Sequence, residues 1–408
     1  MEIFQGIKKR IENISEFMNL NEKEINLLLQ HKKINHAVLN VDGEEYDAWR
    51  IIHNNALGPG KGGIRFHPEV SEDEVKSLSF WMSLKNSLTG LPYGGAKGGV
   101  KVNPKLLDKK QIEKISRKYI QAFHENLGQD KDIPAPDVYT NSEIMSWMLD
   151  EFEKINKKHE PGMITGKPIE LGGIVLRADS TSKGGVIVLK ELMKKINKKP
   201  EETTIAIQGF GNAGMNIASM LDNEGFKIIS VSDSKGGIIT KEKLNIKEVI
   251  EIKNQKNSVT EYPENKISNQ ELLEIETDIL ILAALENQIT KENAKNIKAK
   301  YILELANGPI TEEADKILLN KKIIVIPDIL ANSGGVVVSY FEWLQNKIGN
   351  ILEEEFLKDK FNKIMIQAFD KVYNLYQENN QTLDMRSAAY VIAIKRILKA
   401  EKSRGNLE

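Results

Sequence analysis

Thr203-Thr204-Ile205-Ala206-Ile207-Gln208-Gly209-Phe210-Gly211-Asn212-Ala213-Gly214 decides the fold. A β-branched, apolar run leads directly into a Gly-x-Gly-x-x-Gly spacing, and helical sequence follows through Leu221. The spacing alone is a weak signal. Here a strand precedes it, a helix follows it, and an acid, Asp233, ends the next apolar run (226–231) roughly 20 residues past the last glycine, which is the context of a dinucleotide site. The glycines have separate tasks: a tight turn, close backbone approach to a pyrophosphate, and close helix packing. The helix N-terminus adds amides and a dipole that favour phosphate charge. Gly209, Phe210, Gly211, Asn212, Ala213 and Gly214 are therefore expected to hold the cofactor. Asp233, with Ser234 beside it, is expected to accept hydrogen bonds from the adenosine ribose and to repel a 2′-phosphate, which points to NAD. Lys235 stands two residues on and could hold that phosphate, so NADP stays open.

Downstream, apolar runs at 278–284, 300–305 and 322–326 alternate with helical sequence, the pattern of a doubly wound parallel sheet in an α/β chain. Ligands bind such sheets at the carboxyl ends of the strands, where three polar turns carry Ala284, Asn307 and Asn332. Each asparagine reads either as a partner of the nicotinamide amide or ribose, or as a cap or left-handed residue. Ser339 and Glu342 follow on a helix, and residues 335–408 are mostly helical. The Lys-, Asn- and Glu-rich stretches at 191–202 and 241–270 read as solvated helices and loops.

Upstream, Gly, Ser, Thr and Pro gather at 161–185, where a domain boundary is expected. Residues 1–30 show helical apolar spacing, 31–53 alternate as strands around an Asp42-Gly43 hairpin turn, Ser71 opens a helix with a capping-box pattern, and 109–127 read as another helix. Two lysines sit in glycine cradles, Lys61 in 58–63 and Lys97 in Leu91-Pro92-Tyr93-Gly94-Gly95-Ala96-Lys97-Gly98-Gly99, both read as loops. Glycine on both sides lets a ligand approach the backbone and lets the ammonium point into a cleft. A glycine turn with a solvated lysine reads equally well from the nonapeptide alone, but the recurrence favours a shared site. Lys85, near the end of its helix, could reach the same cleft or lie on a solvated face. In Asp132-Ile133-Pro134-Ala135-Pro136-Asp137 two prolines hinder regular structure and would display Asp137 on a rigid loop, though a turn or cap residue is the plainer reading.

A length of 408 residues suits two domains. Net charge is −1 with 28% charged residues, so no field for nucleic acid exists, and the absence of cysteine removes disulfides and thiolate metal sites; no metal is expected. No apolar run reaches the roughly 18 residues of a membrane span, so a cytoplasmic protein is expected.

The segments GPGKGGIRFHP, LKNSLTGLPYGGAKGGV, IPAPDVYTN, TGKP, QGFGNAG, VSDSKGG, AALENQI, ELANGPIT and ANSGGVVVSYFEW, in this order and spacing, resemble the hexameric glutamate dehydrogenases of the amino acid dehydrogenase family, over nearly the whole chain. The resemblance implies a substrate-binding and oligomerisation domain at 1–168, a Rossmann domain at 169–345, and a helical segment at 346–408 packing back on the first. It implies that Lys97 is the catalytic lysine, Asp137 the proton-transfer acid and base, and Lys85 the partner of the substrate α-carboxylate. Lys61 and Ser339, expected to meet only as the cleft between domains closes, would hold the side-chain carboxylate. Lys97, crowded by Lys61 and Lys85 and desolvated, would have a lowered pKa. The implied reaction is reversible deamination of glutamate to 2-oxoglutarate and ammonia with NAD or NADP, in a homo-hexamer. The alternatives are a leucine, valine or phenylalanine dehydrogenase, or a non-catalytic regulatory subunit. The chain departs from the family at 172–182, where Arg177 and Thr181, both expected at the cofactor, survive while Ile174, Leu176 and Ser182 replace small or glycine residues, and at Leu57, where arginine is common.

Overall fold

The computed structural model describes residues 3–177, 179–379 and 383–407. Contacts divide the chain into a first unit, Met1–Ala178 with Val336–Phe361 and Tyr390–Glu408, and a second unit, Asp179–Gly335 with Asn362–Ala389. Two differences from the expected division follow. The change of unit falls at 178/179 and at 335/336, and the C-terminal segment does not return as a whole, since 362–389 belongs to the second unit.

In the first unit, α1 (Ile3–Met18) and α2 (Glu22–Leu29) precede β1 (Lys33–Val41) and β2 (Glu44–Asn54). Asp42 and Gly43 both take positive φ, 53° and 90°, the backbone of the expected two-residue hairpin. Then come β3 (Gly60–His67), α3 (Glu72–Leu88), β4 (Gly95–Lys101), α4 (Lys109–Phe123), β5 (Asp132–Pro136) and α5 (Ser142–Asn156). The sheet order is β1-β2-β4-β3-β5, with β3 parallel to both β4 and β5. Tyr119 and Phe123 of α4 and Met145, Met148 and Phe152 of α5 fill the core on one face.

The lysine-bearing parts of both glycine cradles, 60–63 and 95–99, are strands here, while 58–59 and 91–94 remain turn and loop. Their glycines are needed because neighbours approach so closely: a Cβ on Gly62 would lie 1.7 Å from the Ala96 carbonyl oxygen, and one on Gly95 2.1 Å from the Ser83 amide of α3. The proline segment is likewise a strand, not a loop. β5 is an edge strand, the one place in a sheet where Pro134 and Pro136 cost no interior ladder bond. Its start is held by a fully buried pair in which Arg50 of β2 donates to both Asp132 oxygens, at 2.7 and 2.5 Å.

The second unit opens with α6 (Ser180–Lys195), β6 (Thr204–Gln208), α7 (Asn212–Asn223), β7 (Lys227–Asp233) and β8 (Gly236–Ile239). It continues through α8 (Ile246–Lys256), β9 (Asn265–Ile267), α9 (Asn269–Leu273), β10 (Ile279–Leu282), β11 (Tyr301–Glu304), α10 (Glu312–Asn320), β12 (Ile324–Ile326) and α11 (Asp328–Ala331). The order β12-β11-β10-β6-β7-β8-β9 is parallel from β12 to β7, while β8 and β9 add antiparallel strands at one edge. Of these, β9 comes from the polar 241–270 stretch read as solvated, because short edge strands need little apolar sequence. The helices α12 (Gly334–Ile348), α13 (Glu354–Glu378) and α14 (Met385–Ser403) complete the chain. Among the described residues no helix is long and apolar enough to cross a membrane.

Candidate active site

Register and strand alternation build the first half of the site. Arg65 pairs with Gly99 across β3 and β4, so residues 61, 63 and 65 and residues 95, 97 and 99 share one pleat face. On that face a Cβ at Gly99 would meet Val75 of α3, and one at Gly63 would meet Asp137 at 2.8 Å. Arg65 and Lys97 meet at Asp137, Lys61 shares their pleat face further along β3, and α3, which carries Lys85, lies over β4. Asp137 is the residue after β5. Its amide donates to Thr140 Oγ1 at 2.7 Å, and that hydroxyl donates to the Ile64 carbonyl of β3 at 2.8 Å, so the turn carrying the carboxylate is tied to the neighbouring strand.

Lys97 makes an ion pair with Asp137, with both side chains largely buried. Burial, and next the Arg65 guanidinium, push the Lys97 ammonium below its ordinary pKa against the pull of Asp137. Burial raises Asp137, but Lys97 and Arg65 outweigh it and hold the carboxyl down at about 2. A lysine disposed to lose its proton therefore touches a carboxylate that stays ionised, an acid–base pair poised for proton transfer. The largest like-charge effect on Lys97 comes from Arg65, not from Lys61 or Lys85 as expected. Arg65 was missed as a site residue, although its place two residues from the GKGG run on an alternating strand could have signalled it. Lys61 is 1% exposed, and its ammonium donates to the Ile133 and Pro134 carbonyls of β5 at 3.4 Å. Lys85 is half-buried near the end of α3.

Ser339, 3% exposed on α12, belongs to the same unit as Lys61, which corrects the expectation that the two come from different domains. Three residues on, Glu342 is fully buried and accepts from the Gly166 and Lys167 amides and from Lys167 Nζ at 2.8 Å, locking α12 to the Thr165-Gly166-Lys167-Pro168 turn.

The second unit fits a dinucleotide. Gly209 has φ of 93°, and a Cβ there would lie 2.5 Å from the Ala284 amide; a Cβ on Gly214 would lie 1.9 Å from the Gly209 carbonyl oxygen. Gly211, by contrast, would place its Cβ against nothing within 4 Å, and it precedes α7 with no side-chain cap. The first amides of α7, from Asn212 and Ala213, have no intrahelical partner, so an anion has a cradle there. The Phe210 side chain is wholly buried and its amide donates to the Ser232 carbonyl at 2.7 Å, so neither its ring nor its N–H is turned to a ligand. Asn332 donates to Asn307 Oδ1 at 2.9 Å, so those two are brought together. Thr181, in the first turn of α6, lies close to Gly335. The Arg177 side chain and Ala178 lie outside the described residues.

Asp233 differs most from its expected role. Its Oδ1 accepts from the Lys235 amide at 2.8 Å and from Ser258 Oγ at 3.4 Å, and its Oδ2 from Lys253 Nζ at 2.7 Å and the Val259 amide at 2.8 Å. Burial raises its pKa, yet these donors bring it below the ordinary carboxylate range. Internal donors occupy both oxygens, and Lys253 offsets the charge that was to repel a 2′-phosphate; Ser234 is exposed in the turn beyond. Lys253 comes from the 241–270 stretch that offered no motif.

Residues 172–405 match the family Glutamate/Leucine/Phenylalanine/Valine dehydrogenase, and residues 30–154 match the dimerisation domain of Glu/Leu/Phe/Val dehydrogenases. The chain is 45% identical over 363 residues to the cryptic catabolic NAD-specific glutamate dehydrogenase of Bacillus subtilis, covering 88% of this chain and 84% of that protein. It is 47% identical over 360 residues to the NAD-specific glutamate dehydrogenase of Staphylococcus aureus, covering 88% and 86%. Among solved structures, glutamate dehydrogenase from Peptoniphilus asaccharolyticus superposes with a TM-score of 0.88 at 37% identity, covering all of both chains. The leucine-bound form of the hetero-hexameric glutamate dehydrogenase from Thermus thermophilus gives 0.91 at 29% identity, over 99% of this chain and 98% of that one.

Proposed function

The chain belongs to the glutamate/leucine/phenylalanine/valine dehydrogenase family, and from that premise we propose that its buried Lys97–Asp137 pair carries out the proton transfers of L-glutamate oxidation. It catalyses the reversible, NAD-dependent oxidative deamination of L-glutamate to 2-oxoglutarate and ammonia, as its NAD-specific relatives are named for doing. The single observation that carries the residue assignment is that pair: a lysine lowered in pKa against a carboxylate held ionised.

The α-hydrogen of glutamate leaves as hydride, and NAD, when bound, supplies the acceptor. Gly211, Asn212 and Ala213 would hold its pyrophosphate, Asn307 and Asn332 its nicotinamide half, and Thr181 lies in the same unit. The remaining work falls to this chain's side chains. Neutral Lys97 takes a proton from the water that attacks the substrate iminium carbon, and Asp137 moves protons to and from the departing amino group. Lys85 holds the α-carboxylate, while Lys61 and Ser339 hold the side-chain carboxylate.

The buried Lys61 ammonium supports glutamate over leucine, valine or phenylalanine, because an apolar side chain would bring it no anion. The companion proposal is a cytoplasmic homo-hexamer, which sedimentation of the purified protein tests. Absorbance at the NADH band with glutamate as substrate tests the reaction. Rapid NADH formation supports the reading, and its absence with a folded protein sinks it in favour of a regulatory subunit.

A further inference from the structure

Outward from the Lys97–Asp137 pair, the charges continue. Arg65 Nε lies 3.6 Å from Asp137 Oδ2, and Arg65 Nη1 lies 2.5 Å from Glu74 Oε1 on α3. Four charges of alternating sign, Lys97, Asp137, Arg65 and Glu74, thus stand in a row, with the Lys97 side chain 9% exposed and the other three 18 to 19% exposed. They come from β4, the turn after β5, β3 and α3, and no step of the reaction uses the outer two. The other lysines of those elements are Lys61 on β3, Lys76 and Lys85 on α3 and Lys101 on β4; Lys76 is paired with Glu72, and Arg50 with Asp132. We propose that Arg65 and Glu74 are positioning residues that set the proton affinity of Lys97 in opposite directions and so fix the lower edge of the pH range in which the enzyme works.

The geometry gives the signs. Arg65 is a cation one carboxylate away from Lys97, so it disfavours the ammonium. Glu74 is an anion one step further, so it favours the ammonium and tempers Arg65. Both act through partly buried contacts where screening is weak, and at such separations each is expected to move the titration by about half to one pH unit. The direction found for Lys97 agrees, since Arg65 lowers it and Glu74 raises it. This inference rests on the glutamate-oxidation reading only for its kinetic arm.

The test therefore has two readouts. Competitive labelling with trace acetic anhydride across a pH series, followed on the Lys97 peptide by mass spectrometry, gives the Lys97 midpoint without turnover. Arg65→Gln is expected to raise that midpoint, Glu74→Gln to lower it, and Arg65→Lys to keep it near wild type. The acidic limb of kcat/KM for glutamate is expected to follow the same order. Midpoints that stay put, or that move the same way in Arg65→Gln and Glu74→Gln, would overturn the proposal. If Arg65→Gln does not fold, Glu74→Gln decides alone: a lowered midpoint upholds the charge row, and an unmoved one overturns it. Opposite shifts in a wild type that does not oxidise glutamate would uphold the charge row and sink the functional reading.

Discussion

Lys97 and Asp137 carry the reaction as proposed because neither is left in its ordinary protonation range. Burial drives the lysine toward neutrality, while Lys97 and Arg65 hold the aspartate at about 2. The fall in rate on the acidic side should therefore come from protonation of Lys97, since Asp137 stays ionised through the whole working range. Lys97→Ala and Asp137→Asn should each lower kcat by about two to four orders of magnitude with the fold intact, which steady-state kinetics and circular dichroism together check. In Asp137→Asn the lysine also loses its counter-charge, so what activity is left should have its acidic limb at lower pH. Asp233 carries a different expectation. Its carboxylate is bonded to Lys253, Ser258 and two amides, so Asp233→Ser should loosen the β7 to β9 edge as well as alter cofactor choice, read as a lower thermal midpoint beside the NAD and NADP rates. The acid was legible from its spacing after the glycines. Its partners were not, because Lys253 is a lysine among many on a helix and only the fold brings it back to the strand end.

At the scale of elements, glycine was the clearest signal and also the source of the main misreading. Gly60 to Gly63 and Gly95 to Gly99 looked like loops because glycine usually marks a turn, but here a missing Cβ lets strands and α3 lie closer than any side chain allows. Backbone crowding between elements leaves no pattern in a single segment. Around Gly209 to Gly214 the three separate tasks of the glycines were legible, and they give a paired prediction. Gly214→Ala should lower the thermal midpoint markedly, because its Cβ would lie 1.9 Å from a carbonyl oxygen. Gly211→Ala should leave the thermal midpoint nearly unchanged and raise the KM for NAD, because its Cβ meets no protein atom and enters the space where backbone and pyrophosphate approach.

For the whole molecule, the two-domain division was legible from the change of periodicity near residues 161–185, whereas the assignment of 362–389 to the second unit depends on packing between helices of similar pattern. Each unit contains a buried ion pair, Arg50–Asp132 in the first and Arg386–Glu304 in the second. Asp132→Asn should destabilise the protein by about 3 to 5 kcal/mol by leaving Arg50 buried without its anion, and joint Arg50→Met, Asp132→Leu replacement should cost less, as urea unfolding would reveal. Lys61 and Ser339, proposed to hold the side-chain carboxylate, would give the substrate choice its physical basis, since a carboxylate between them would gain charge-assisted hydrogen bonds that a methyl group cannot make. The most direct measurement is the initial rate of NADH formation by the purified protein with L-glutamate and with L-leucine under identical conditions. Glutamate should be used at least roughly a thousandfold better in kcat/KM, and a protein that oxidised leucine as well as glutamate, or better, would contradict the assignment.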